Sequence, residues 1–341
     1  MKEQIPEKYK PKLAFFKTQK AIKLVKDTFQ KKLAKQLHLQ RVSAPRFLKI
    51  GKGLQDDLAG TQTPVRFSTR FTDKIEVVHS LAKWKRWTLG KYKFQHGTGL
   101  YTDMDAIRKD EEVSPIHSIY HDQWDWEQIV SKEERSLKFL KKTVKKIYQS
   151  LLGTKKEISK EFPELKKTLP KKIHFIHSEE LEKQYPELTP KEREHRITKK
   201  HKAVFIIGIG HPIKSGKPHD LRAADYDDWS TSTEKGKGLN GDIIVWDPIR
   251  KKSLELSSMG IRVDSKALVK QLEMHDLSHR KELDFHKGII EDKLPLTIGG
   301  GIGQARICMF LLQKAHIGEV ISSVWPEEIE QEFHKRDIPL L

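Results

Sequence analysis

Five short segments of this chain concentrate residues able to handle phosphate and a divalent cation. Gly299-Gly-Gly-Ile-Gly-Gln-Ala-Arg306 is glycine-rich and runs straight into the apolar Ile307-Cys-Met-Phe-Leu-Leu312. Glycines at that density let backbone N–H groups approach a ligand closely, because no Cβ intervenes. A helix beginning just after this loop would add unpaired N–H groups and the positive end of its dipole, both suited to phosphate. Arg306 is then expected in the first turn, beside Gly301 and Gly303. Glu255-Leu-Ser-Ser-Met-Gly-Ile-Arg262 brings a carboxylate, the hydroxyls of Ser257 and Ser258, and an arginine close together. Asp242 opens a strand after Gly241, Asp225-Tyr-Asp-Asp-Trp229 reads as an acidic turn, and Arg108 precedes Asp110 and Glu111 in a loop. Oxygen donors of this kind suit Mg²⁺, which one or two carboxylates commonly hold together with nucleotide phosphates. Each segment alone also fits a solvated turn, a salt bridge or a capped strand end. Together they read as an ATP site built on a sheet.

The elements that must position these residues follow from periodicity. Ile22, Val25, Phe29, Leu33 and Leu37 recur at helical spacing, so a long amphipathic helix is expected over Thr18–Leu37. Leu39–Val42 reads as extended, Ile75–Val78 as a short strand, and Ser80 as the N-cap of a helix that Gly90 ends. Residues 117–127 alternate. Tyr120, Trp124 and Trp126 share one face of a strand, while Gln123, Asp125 and Glu127 share the other. That polar face either lines a site or meets water. Residues 131–200 read as a helical, lysine-rich stretch with a short strand at Ile173–Ile176. Ala203–Gly210 reads as a central strand buried on both faces. Gly241–Asp247 and Lys252–Val263 are expected to pair antiparallel through Pro248-Ile-Arg-Lys251.

With 341 residues and 36% hydrophobic content the chain is long enough for a substantial core. The net charge of +18 suggests nucleic acid. The lysines between 132 and 202, however, are interleaved with glutamates as on a solvated helical face, and no RNA-binding signature accompanies them. A nucleic-acid partner is therefore not expected. Met1-Lys-Glu-Gln4 starts no signal peptide and no apolar run reaches membrane length, so a cytoplasmic, non-membrane protein is expected. Cys308 is the one cysteine, set among Ile307, Met309 and Phe310, which excludes an internal disulfide. No P-loop or dinucleotide fingerprint occurs. His275-Asp-Leu-Ser-His279 lacks the glutamate that a zinc-protease helix needs.

Laid out in order, Gly53-Leu-Gln-Asp-Asp-Leu58, Val77–Arg86, Asp122–Glu127, Asp225–Ser230, Leu239–Asp242, Glu255–Arg262 and Gly299–Arg306 resemble the ammonia-dependent asparagine synthetases, or aspartate–ammonia ligases. The resemblance spans almost the whole chain. It implies an α+β fold with a central, mainly antiparallel sheet flanked by helices, the catalytic fold of class II aminoacyl-tRNA synthetases. It also implies one catalytic domain over residues 1–341, a homodimer formed around residues 15–50, and a lysine-rich helical insertion over about 131–200. The long first helix through Pro45 looks like the first synthetase motif. Arg108 with Asp110 looks like the second, whose arginine meets the α-phosphate. Gly301 to Arg306 looks like the third.

The implied reaction has two steps. The β-carboxylate of L-aspartate attacks the α-phosphate of ATP, and ammonia then displaces AMP from the β-aspartyl-adenylate. By this resemblance Asp56, Lys85, Arg108, Asp227, Arg262 and Arg306 are catalytic, and Asp56, Ser80, Lys85, Gln123, Asp125, Asp227, Ser257 and Arg262 bind aspartate. Arg108, Asp242, Glu255, Ser258, Gly301, Gly303 and Arg306 bind ATP, with Glu255 and Ser258 on Mg²⁺. Strict alternation would point Glu255 and Ser258 to opposite faces, so a bulge near Ser257–Gly260 is required. A glutamine-dependent enzyme would need a nucleophilic cysteine. Lys2 stands where one often follows the initiator methionine, and burial of Cys308 would raise its thiol pKa. Free ammonia is the expected nitrogen donor. The rival expectation is an aminoacyl-tRNA synthetase or a tRNA-binding relative of the same fold.

Overall fold

The computed structural model describes residues 5–56, 58, 63–165 and 169–341. Met1–Gln4 and Asp57, on which the sequence reading touched, lie outside the described residues. In chain order the elements are α1 (Phe15–Leu37), β1 (Leu39–Arg41), β2 (Phe47–Lys49), β3 (Arg66–Thr69), β4 (Thr72–Val77), α2 (Ala82–Lys91), β5 (Gly99–Ile107) and β6 (Tyr120–Ile129). There follow α3 (Leu137–Glu161), β7 (His174–His177), α4 (Ser178–Gln184), α5 (Pro190–His201), β8 (Ala203–Ile207), β9 (Ser232–Thr233), β10 (Gly236–Lys237), β11 (Asn240–Asp247) and β12 (Lys252–Ile261). The chain closes with α6 (Ser265–Met274), α7 (Asp284–Ile290), β13 (Thr297–Gly303), α8 (Gln304–Leu311) and α9 (Glu327–Lys335).

The main sheet has eight strands in the order β1-β5-β6-β13-β12-β11-β8-β7. Only the edge pairs β1/β5 and β7/β8 run parallel; the interior is antiparallel. Apolar spacing explains its first cover. Ala21, Val25, Phe29, Leu33 and Leu37 recur every fourth residue and are at most 1% exposed, so α1 lays one stripe on the core. Phe29 meets Trp124 with ring centroids 4.7 Å apart. Trp124 and Trp126 take that face of β6, so Gln123, Asp125 and Glu127 must take the other. The polar face does not meet water: Asp125 is 2% exposed and Glu127 not at all.

Three expectations shift. Ala203–Ile207 is buried throughout, yet β8 is second from the sheet edge rather than central. Gly90 does not end α2, which continues to Lys91. A Cβ at Gly90 would stand 2.9 Å from Leu294, so the glycine lets that segment close on the helix. The Gly299–Gly303 run is no loop: it belongs to β13, paired to β12 and β6 in the middle of the sheet. The hairpin of β11 and β12 matches expectation, and so does a break in its register. Ile243 faces Ser257 while Ile244 faces Glu255. Leu256 is thus the extra residue of a bulge, just N-terminal of where it was expected.

Because α1 and β6 meet through large rings, Phe29→Ala should lower the unfolding free energy by about 3–5 kcal/mol in urea titration. A change below about 1 kcal/mol would contradict this packing.

Candidate active site

The polar face of β6, the glycines of β13, the bulged strand β12 and the first turn of α8 enclose a cleft of about 310 Å³. Asp56, Ser80, Lys85, Arg108, Gln123, Asp125, Asp227, Glu255, Ser257, Ser258, Arg262, Gly301, Gly303 and Arg306 line it. Of the residues expected to bind substrate or metal, Asp242 alone stands back from the cleft wall. It reaches the cleft through Ser258, whose hydroxyl donates to it at 2.6 Å, and through Arg222, which bonds both.

The floor is a chain of buried charges. Arg262 donates to Glu127 from Nε and Nη2, at 3.0 and 2.8 Å, and pairs with Asp227 through Nη1. Thr297 donates to Glu127 at 2.7 Å. Lys85 Nζ sits 3.1 Å from Asp125 and donates to the Gly300 carbonyl at 2.9 Å. Glu127 carries the whole floor, yet only its place on the polar face of β6 marked it in the sequence. Burial works against the Arg262 charge, but Glu127 and Asp227 outweigh it. Burial likewise favours a neutral Glu127, and Arg262 and Lys85 hold its carboxyl below the usual range instead. Lys85 is drawn down from the ordinary lysine range by burial, against the pull of Asp125 and Glu127.

The glycines make room for this floor. A Cβ on Gly299 would lie 1.8 Å from Glu127 Oε2 and 2.7 Å from Arg262 Nη2, and one on Gly301 would lie 2.2 Å from Gln123 Oε1. Neither glycine has the left-handed backbone that only glycine favours. Absence of the side chain is what matters here. At the other end of the cleft, Arg306 Nη1 is 3.8 Å from Glu255 and donates to its backbone carbonyl at 3.2 Å. Arg108 donates to the His79 carbonyl at 3.3 Å, while its buried Nε has no hydrogen-bond partner among the described residues. The Asp125 Oδ1 atom is also buried without one. These two atoms offer an unused donor and an unused acceptor to whatever enters.

Some residues take other places than expected. Ser80 does not cap α2, whose cap position is Leu81; its hydroxyl accepts from Ala82 N at 3.2 Å. Ser257 shares its rung with the core residues Ile243 and Ile302, so its side chain stands on the core side of β12. Ser258 turns to Glu255, 3.3 Å away, because the Leu256 bulge realigns them. Asp110 is bound to Thr63 and Lys109 outside the cleft, and Glu111 lines it instead. The acidic cluster is no solvated turn. Asp225 holds Lys83 and His286, Asp227 holds Arg262, and Asp228 holds Arg135 at 2.7 Å. Arg222 carried no sequence signal beyond standing near a quoted segment, and Lys83 none beyond lying within Val77–Arg86. His117 also lines the cleft; burial, with Arg306 beside it, draws its imidazole down to about 4, so it is neutral at pH 7. No cluster of three metal-type side chains forms around His275 and His279 among the described residues.

Gly299→Ala should therefore destabilise the fold by upwards of about 2 kcal/mol and remove activity, since neither Glu127 nor Arg262 can yield. Gly303→Ala, whose Cβ would meet nothing nearer than 3.4 Å, should keep stability within about 0.5 kcal/mol. Equal losses in thermal melts would refute the spatial explanation.

The aspartate-ammonia ligase family model matches residues 16–337. An aspartate–ammonia ligase from Parabacteroides distasonis is 52% identical over 339 residues, covering 98% of both chains. One from Clostridium perfringens is 53% identical over 339 residues, covering 99% of this chain and 98% of its own. Among solved structures, asparaginyl-tRNA synthetase from Pyrococcus horikoshii complexed with asparaginyl-adenylate aligns with a TM-score of 0.66 at 13% identity, over 91% of this chain and 70% of that one. The Entamoeba histolytica asparaginyl-tRNA synthetase aligns with a TM-score of 0.61 at 16% identity, over 89% and 67%. At such identities the structures show the fold alone, and that fold is the class II synthetase fold. By sequence, along its full length, the chain belongs to the aspartate–ammonia ligase family.

Proposed function

We propose that this protein makes L-asparagine from L-aspartate, ammonia and ATP through a β-aspartyl-adenylate, releasing AMP and diphosphate. The observation that carries the reading is the division of the cleft, with a floor of paired buried charges at one end and arginines with Glu255 at the other. The floor fits aspartate. Asp125 Oδ1, buried and unmatched, accepts the α-ammonium, with Gln123 and Asp227 beside it. Lys85 and Arg262 face the carboxylates, and Ser80 borders the same space.

The first step brings two anions together, the β-carboxylate and the α-phosphate, so it needs fixed positive charge where negative charge builds up. Arg108 and Arg306 supply it at the nucleotide end. Their guanidiniums are already held by backbone carbonyls and Glu255, so little reorganisation is needed when substrate arrives. The hard oxygen donors suit Mg²⁺. Glu255 and the Ser258 hydroxyl share one face because of the bulge, with Asp242 behind them, and these residues would hold the ion. When bound, Mg²⁺ supplies charge neutralisation on the phosphates. Burial raises the Glu255 carboxyl, but Arg306 and Arg222 outweigh it and keep it ionised.

In the second step the ammonia nitrogen bonds to the β-acyl carbon, AMP leaves with the electron pair of the broken C–O bond, and a proton passes to a carboxylate. Asp56 and Asp227, both on the cleft wall, would take it. The nitrogen comes from free ammonia. Burial pushes the Cys308 thiol up to about 12, and it lies in the core of α8, where no glutamine could reach it. The reading includes a cytoplasmic homodimer without nucleic acid. The exposed Phe15, Phe16 and Phe47 around the first helix and strands suit a subunit contact.

Incubation with aspartate, ATP, Mg²⁺ and ammonium should yield asparagine, AMP and diphosphate. ADP would refute adenylation, and charging of tRNA without free asparagine would move the chain to its synthetase relatives. Arg306→Ala should slow aspartate-dependent ATP–diphosphate exchange about 10²–10³-fold. Iodoacetamide at pH 8 should leave Cys308 unmodified and activity intact, with full alkylation only after denaturation. Rapid native inactivation would contradict the buried, protonated thiol.

A further inference from the structure

Asp56 is the one described residue shared by two polar cavities. One is the substrate cleft; the other, of about 300 Å³, lies behind Asp56. Asp56 is 2% exposed and accepts from Leu58 N at 3.0 Å. Its neighbour Gln55 is strapped on both amide atoms, donating to the Val77 carbonyl at 2.7 Å and accepting from His79 N at 3.0 Å. The carboxylate is thus fixed in the partition between the cavities. The rear cavity opens past Lys49 and Gly51, both exposed, and nothing lies within 4 Å of where a Gly51 Cβ would stand. Deeper in, its charged groups are engaged with one another. Lys83, Arg280 and His286 converge on Asp225 at 2.8, 3.2 and 3.0 Å, and Arg66 takes Glu76 at 3.4 Å.

We propose that the rear cavity is the ammonia vestibule, through which the third substrate reaches the acyl-adenylate at Asp56 while aspartate and ATP fill the main cleft. This rests on the ligase reading above and adds the route of its nitrogen. The wall chemistry selects the form that travels. Lys49, Arg66, Lys83 and Arg280 oppose an ammonium ion, and the carboxylates Glu76 and Asp225 are already held by cations, so neutral NH₃ passes more readily. At the partition the nitrogen attacks the β-acyl carbon, the C–O bond to AMP breaks with its electrons leaving on AMP, and Asp56 takes the proton released.

Two half-reactions separate this idea from the reading it rests on. ATP–diphosphate exchange needs aspartate but no ammonia. Lys49→Trp and, separately, Pro64→Trp narrow the rear cavity without touching the main cleft. Each should raise the KM for ammonia at least tenfold, and that for hydroxylamine, a bulkier nucleophile, further still. Exchange constants for aspartate and ATP should stay within twofold. The vestibule is overturned if both variants keep the ammonia KM within twofold of wild type. It is equally overturned if folded variants lose exchange along with ammonia use, for the rear wall would then belong to the aspartate site. Wild-type protein without aspartate-dependent exchange would refute adenylation itself.

Discussion

The ion pair between Glu127 and Arg262 is the contact on which the site depends. Both groups are buried, and an uncompensated charge there would cost several kcal/mol. They hold each other through three hydrogen bonds of 3.0, 3.2 and 2.8 Å, and Thr297 and Asp227 satisfy what remains. The pair fits only because β13 withholds a side chain at Gly299, where a Cβ would overlap both partners. Strand, glycine and ion pair therefore form one device. The glycine-rich strand gives up cross-strand packing on its site face, and the charges of β6 and β12 fill the vacated space.

That device explains what the sequence could and could not reveal. Periodicity was enough for α1, for the hairpin of β11 and β12, and for the division of β6 into an aromatic and a polar face. It failed at Gly299–Gly303. Glycine weakens an isolated strand, so local propensity points to a loop. Only the cross-strand partners, remote in sequence, reveal why a strand there must lack side chains. The same limit hid Arg222, whose role comes from bonding Asp242 and Ser258 across two strands. Alternation did show that Glu255 and Ser258 could share a face only across a bulge. It could not locate the extra residue, since Leu256 is chosen by its partners in the core.

The neighbourhood of Arg108 shows a second limit. Asp110 and Glu111 are adjacent and chemically alike, so spacing cannot decide which enters the cleft. The turn after β5 decides it. Asp110 is captured by Thr63 and Lys109 in solvent, and Glu111 turns inward toward His121, 3.6 Å away. Likewise the three aspartates 225, 227 and 228 look equivalent in sequence. In the fold each anchors different cations on different segments, and of the three Asp227 alone lines the cleft.

A network so thoroughly paired would be inert if every atom were satisfied. Substrate preference resides in the atoms left over. Buried polar atoms without partners are costly, and a ligand that completes them recovers that cost. Asp125 Oδ1 is an acceptor at the end of the cleft proposed for aspartate, next to a lysine already committed to its other oxygen. Arg108 Nε is a donor at the end proposed for the nucleotide, on a guanidinium already fixed to a carbonyl. An amino acid carries the cation for the first, and a nucleotide carries the anion for the second. A ligand lacking either group would leave one atom desolvated and unpaired, which penalises it by about 1–3 kcal/mol. The same fixed charges that stabilise the cleft thus discriminate among its occupants, and Gly299 is the position where both properties would fail together.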